Sequence, residues 1–121
     1  MREHRFVTDI AVKHGGDDAG PSPGEFFVAS LATCAGMYAS SYCKEHGLDP
    51  TGATVEMDWK LASVEGMPGA MRISEIALNV SFPNVALDEA TEAGLREAMG
   101  HCTVQNSIIN RPRMEIGLKG A

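Results

Sequence analysis

The apolar residues of this chain follow two periods, and each change of period marks the boundary of an expected element. Phe6, Ile10 and Val12 share one face of a period-two pattern broken by Arg5, Asp9 and Lys13, which predicts a strand or hairpin arm ended by the turn residues His14 to Gly20. Ser22 is followed by Pro23 in the first helical position and by Glu25 three residues on, the capping-box pattern in which hydroxyl and carboxylate each satisfy a terminal N–H. The helix that starts there is predicted to run from Pro23 to His46 and to stop at Gly47. Its first half is apolar on every face and its last turn, Lys44-Glu45-His46, is polar, so it is expected to cross a core and exit to water.

Strict alternation returns at Val55, Met57, Trp59 and Leu61, interleaved with Thr54, Glu56, Asp58 and Lys60, the pattern of a strand with one wet face. Glu65-Gly66-Met67-Pro68-Gly69 turns the chain. On the return, Met71 and Ile73 are apolar in one phase and Ile76, Leu78, Val80 and Phe82 in the other; a bulge near Ser74 and Glu75 would keep both sets on the core side. Asp88 is the expected cap of a second helix, in which Leu95, Ala98, Met99 and Cys102 recur at i, i+3, i+4, i+7 and turn inward together. Thr103 is expected to cap a further short helix through Ile109, and Met114, Ile116 and Leu118 to form a last strand. The fold class is therefore α+β, one domain over residues 1–121.

With 121 residues and 44% hydrophobic content, the chain can build a core but is short for a comfortable monomer, so a homodimer is expected. A formal charge of −6 with no clustered Lys or Arg sets the field against nucleic acid and anionic membrane. No apolar stretch resembling a signal peptide follows the first residues, and no run of about 18 uninterrupted apolar residues occurs, so a cytoplasmic location is expected. The cysteines, Cys34, Cys43 and Cys102, lack paired spacing, and His4, His14, His46 and His101 are scattered. Neither a disulfide scaffold nor a metal site is expected, and no other cofactor is called for.

Chemistry then rests on thiols. Cys34 lies inside the apolar run that follows Gly20-Pro21-Ser22-Pro23-Gly24-Glu25, and Cys102 inside His101-Cys102-Thr103-Val104-Gln105-Asn106-Ser107-Ile108. Those two segments, the helix continuing to His46-Gly47-Leu48 and their order along residues 4 to 119 resemble the OsmC and organic-hydroperoxide-resistance superfamily, in the Pro-x-Glu form of its less characterised OsmC-like branch. The resemblance implies an intertwined homodimer, with one long central buried helix from each protomer packed with a second helix and antiparallel sheet. It implies a thiol peroxidase for small organic hydroperoxides, in which Cys34 becomes a sulfenic acid resolved by Cys102 and an external dithiol reductant closes the cycle. It further implies a cation on Cys34, supplied by Arg5 or Arg2 of the N-terminal arm, and a carboxylate to hold that cation. Glu25 stands one position beyond the family's usual acid, which is Gly24 here, and Thr103 replaces a common proline.

Each of these residues also has a plainer reading. A buried cysteine is ordinarily a small hydrophobe, Glu25 is accounted for as a cap, Arg5 as a strand flank, and His101 as a helix-terminal charge. Cys43 is half a turn round the helix from Cys34 and is given no role. Met57, Met67, Met71 and Met99 are read as core filler and Trp59 as packing. The alternative to a peroxidase is a non-catalytic module of the same fold, holding a small apolar ligand or sensing redox state; acyl or disulfide exchange is a third reading.

Overall fold

The computed structural model describes residues 1–121. Helix α1 spans Pro23–Glu45, the hairpin strands are β1 (Thr54–Ser63) and β2 (Met71–Ser81), and helices α2 (Glu89–Gly100) and α3 (Thr103–Ile109) follow. The capping box at the start of α1 is complete: Glu25 N–H donates to Ser22 Oγ at 3.2 Å and Ser22 N–H to Glu25 Oε1 at 3.1 Å. Two orphan donors are thereby satisfied, and Pro23 adds none. At the far end His46 caps the helix and Gly47 takes φ +68°, the left-handed conformation that ends a helix at least cost in glycine.

β1 and β2 pair antiparallel, and the bulge falls where the change of phase requires it. Lys60 opposes Glu75 and Leu61 opposes Ile73, which leaves Ser74 unpaired, its hydroxyl donating to Lys60 O at 3.2 Å. Val55, Met57, Trp59 and Leu61 therefore face Val80, Leu78, Ile76 and Ile73 on a single side of the ribbon. Helix α1 packs against that side and also against α2 and α3. The densest packing is at the C-terminal half of α1, where Ala39 and Cys43 meet Phe82 and Leu95, all buried, with Tyr42, Leu48, Val80 and Met99 around them. Cys43 is thus a core residue, fully enclosed.

The close approach of α1 to α2 depends on Gly94. A Cβ there would overlap the hydroxyl and ring of Tyr42, and Tyr42 is itself stacked on His46 with centroids 3.9 Å apart. Mid-helix Gly→Ala normally stabilises by about 1 kcal/mol. Here the overlap should reverse the sign, with Gly94→Ala destabilising by about 1–3 kcal/mol. Thermal unfolding checks this in two backgrounds, since in Tyr42→Ala protein the same substitution should become stabilising.

Three expectations are corrected. The N-terminal segment is not a strand: residues 1–11 are irregular and Val12–His14 form a 3-10 turn. Asp9 organises that loop instead, accepting N–H groups from Ile10, Asp17 and Ala19 at 2.8, 3.0 and 3.0 Å, and those of Ala19, Ile10 and Asp17 hold its carboxyl below the ordinary value. Residues 111–121 are likewise irregular, with Met114, Ile116 and Leu118 exposed by 83%, 93% and 94%. Both segments lack a strand to pair with, because the only sheet is the β1–β2 ribbon and both its edges are open. The third correction is to α1, which is covered on one face only: Val28, Leu31, Ala32, Ala35, Ala39 and Cys43 are buried, whereas Phe27, Met37 and Tyr38 are exposed.

Candidate functional site

Cys34 lies midway along α1, half-buried, on the part of the helix that faces α3. Cys102 is fully buried at the corner between α2 and α3. The corner forms because α2 ends at Gly100, His101 closes its last turn, and Cys102 leaves the helix at φ −53°, ψ 118°. Thr103, the expected cap, is instead the first residue of α3. Cys102 is the cap, its sulfur accepting Gln105 N–H at 3.3 Å. Sulfur thus takes the place usually held by a Ser, Thr, Asp or Asn oxygen.

This corner brings the two thiols face to face, both free. Burial pushes the Cys34 thiol up, but the Cys102 thiol and the backbone N–H groups of Val104 and Thr103 outweigh it and leave Cys34 below its ordinary value. Cys102 moves the other way, raised first by burial and then by its hydrogen bond with Cys34. Gln105 N–H donates to Cys102 Sγ at 3.3 Å, while the N–H groups of Val104 and Thr103 are directed to Cys34. The outcome is an unequal pair: one thiol more readily ionised and half open to solvent, its neighbour less readily ionised and enclosed. Such a pair can lose two electrons to become a disulfide.

Beside the pair runs a groove of about 400 Å³ between α1, β2 and α3, with Leu31, Ile73, Ile76, Leu78, Ile108 and Ile109 as its apolar lining. Leu31 is one helical turn before Cys34, and Gln105, which holds Cys102, forms part of the same wall. Met57, Met67, Met71 and Met99 line none of this groove. Met67 and Met71, expected as core filler, are instead exposed, and Met99 does pack against the core.

Glu25 and Arg5 are not drawn to the thiols. Glu25 is occupied in the cap of α1. Arg5 is exposed and joins no ion pair, although its neighbour Phe6 packs edge-on against Phe26 with centroids 6.0 Å apart, which docks the arm at the start of α1. Arg2 contacts only His4. The donors on Cys34 are backbone groups, which carry no residue signature, so reading side chains along the sequence could not single them out.

Residues 15–117 match the model of the OsmC-like protein family. No curated protein matches the chain. Among solved structures it is similar to a protein of Psychrobacter arcticus described as an osmotic stress induced and detoxification response protein, with 26% identity and a TM-score of 0.71 over 83% of this chain and 69% of that one. An organic hydroperoxide resistance protein of Legionella pneumophila is similar at 18% identity and a TM-score of 0.63, over 83% of this chain and 70% of that one. An OsmC-like protein of unknown function from Vibrio cholerae is similar at 21% identity and a TM-score of 0.61, over 76% of this chain and 61% of that one. At those two identities the likeness is one of fold.

Proposed function

The chain belongs to the OsmC-like protein family, and from that premise we propose that it is a cytoplasmic thiol peroxidase that reduces small organic hydroperoxides. The observation that carries the reading is the unequal Cys34–Cys102 pair, with an apolar groove lined by Leu31, one helical turn before Cys34, and by Gln105, which holds Cys102. The detoxification response named for the 26% identical Psychrobacter protein points the same way.

The Cys34 thiolate attacks the terminal oxygen of the hydroperoxide. The O–O bond breaks, the leaving alkoxide takes a proton and departs as alcohol, and Cys34 is left as sulfenic acid. Cys102 then attacks the Cys34 sulfur, the S–O bond breaks, and the hydroxide leaves as water with the proton from Cys102. The pair has given up two electrons and the peroxide has gained them; a dithiol reductant restores both thiols by exchange. The lining of Leu31, Ile76, Leu78 and Ile108 suits a hydrocarbon tail. Arg5 and Glu25 stay in the proposal as the cation that would neutralise the departing alkoxide and the carboxylate that would hold it. Treatment with one equivalent of an organic hydroperoxide should therefore link Cys34 to Cys102 and leave Cys43 free, read by peptide mass mapping. A reduced Cys34 after that treatment sinks the peroxidase, and the same fold holding an apolar ligand becomes the better reading, one that the lack of a guanidinium on Cys34 favours.

The working form is proposed to be a homodimer. A compact monomer of this mass exposes about 6,300 Å², whereas this chain exposes 9650 Å². Only 9 of 121 residues are buried, too thin a core for a chain that leaves Phe27, Met37, Leu61, Ile116 and Leu118 in water. The excess is about 3,300 Å² per chain, about 6,700 Å² for a pair, which is the scale of the largest obligate, intertwined interfaces and not of a small contact. A second copy would lay its helix on the part of the apolar side that α1 leaves open, at Trp59 and Leu61, and its terminal segments on the ribbon edges. Light scattering at micromolar concentration should give about twice the 12.9 kDa chain mass.

A further inference from the structure

One side chain spans the corner that presents Cys102, and it has no part in the chemistry described so far. The amide of Asn106 donates to Gly100 O and to Cys102 O, both at 2.9 Å, so its two hydrogens tie the end of α2 to the cap of α3. Cys102 is held at its other atoms too: its N–H donates to Met99 O at 3.1 Å, its carbonyl also accepts Asn106 N–H at 3.0 Å, and its sulfur accepts Gln105 N–H at 3.3 Å. Of these restraints the Asn106 amide alone is a side chain, and it alone bridges both sides of the His101–Cys102 corner.

The geometry points to Asn106 as a positioning residue for disulfide closure, acting by holding Cys102 against Cys34 while both are still thiols. This rests on the proposed pairing of Cys34 with Cys102 described above. The physical argument is preorganisation. In the disulfide a covalent bond fixes the corner, and in the dithiol only the hydrogen bonds do. Removing the amide frees the dithiol state and raises the entropy that closure must overcome, which lowers the effective concentration of one thiol at the other. Asn106 is itself exposed, so water competes for its hydrogen bonds and its contribution to global stability is small, whereas the direction it imposes on the corner acts on every closure.

The test is equilibration of the full-length protein with mixtures of reduced and oxidised dithiothreitol, followed by thiol labelling to measure the closed fraction of the pair. Asn106→Asp, which turns a double donor into a double acceptor facing two carbonyls, and Asn106→Ala should each lower the closure constant about tenfold. Asn106→Ser should fall between them and the parent, since a hydroxyl can still reach the carbonyl four residues back, as Ser107 does to Thr103 O at 2.8 Å. Asn110→Ala is the control: Asn110 makes the same kind of bond to Asn106 O at 3.1 Å, on the same short helix, without touching the corner. Closure in the Asn106 variants equal to the parent, or an equal loss in Asn110→Ala, overturns the assignment. If the Asp and Ala variants lose α3 by circular dichroism, the Ser variant decides it on the same scale. The mixtures contain no peroxide, so a parent that closes normally here yet consumes no hydroperoxide overturns the peroxidase reading alone.

Discussion

Cys34→Ser protein should consume organic hydroperoxide no faster than buffer does, a loss of at least about a thousandfold, because an alcohol supplies no appreciable oxyanion at neutral pH where a thiol supplies a few per cent or more of thiolate. The substitution is close to isosteric and Cys34 is only half-buried, so fold and assembly should be kept, and equal light-scattering mass and circular dichroism will establish that the loss is chemical. The same position gives a pH dependence. Since Cys34 is held below the ordinary thiol value and Cys102 above it, alkylation of Cys34 in the parent should rise with pH through a midpoint lower than that of a free cysteine. Cys102 should follow at higher pH. Alkylation of the two thiols in the opposite order would remove the basis for calling Cys34 the attacker.

Much of this arrangement was legible along the chain, and the parts that were not share a cause. The capping box at Ser22 and Glu25, the Asp88 cap with its Thr91 N–H at 2.7 Å, and the bulge at Ser74 are local devices. Each is determined by residues a few positions apart, so sequence spacing carries it. Strands are different. The alternation of Phe6, Ile10 and Val12, and of Met114, Ile116 and Leu118, states that a segment could serve as a strand, but an extended backbone needs a hydrogen-bonding neighbour that no local pattern names. Within one chain that neighbour is missing, and both segments lie irregular. The apolar surround of α1 reads the same way: composition marks every face as one to be buried, yet the chain covers just the stripe from Val28 to Cys43. At the site, the i, i+7 step from Leu95 named Cys102 as an inward residue, and it is buried, although α2 stops at Gly100 and the α2–α3 corner, not a continued helix, encloses it. The Val104 and Thr103 donors on Cys34 stayed invisible, since an N–H is common to almost every residue and only the fold decides which ones converge.

Cys102→Ser should fail in a different way, and the contrast is the sharper test of how the two thiols divide the work. The first encounter needs only the Cys34 thiolate and the groove beside it, both of which remain, so one equivalent of hydroperoxide per chain should disappear in a burst. Serine puts a hydroxyl in place of the Cys102 thiol that can still donate to Cys34, and the Val104 and Thr103 N–H groups continue to act, so the burst should run within a factor of a few of the parent. After the burst nothing can displace water from the sulfenic acid. Turnover should stop, a loss of about a hundredfold or more under excess dithiol, and with more peroxide Cys34 should pass to sulfinic acid, a mass gain of about 32 Da on its peptide. Cys43 is nine positions along α1 and enclosed between Ala39, Phe82 and Leu95, so it cannot stand in as the resolving thiol without unpacking the core. Steady turnover by Cys102→Ser protein would mean that the external dithiol attacks the sulfenic acid directly, and the pair at the corner would then be a protective lock on Cys34 instead of a step in the cycle.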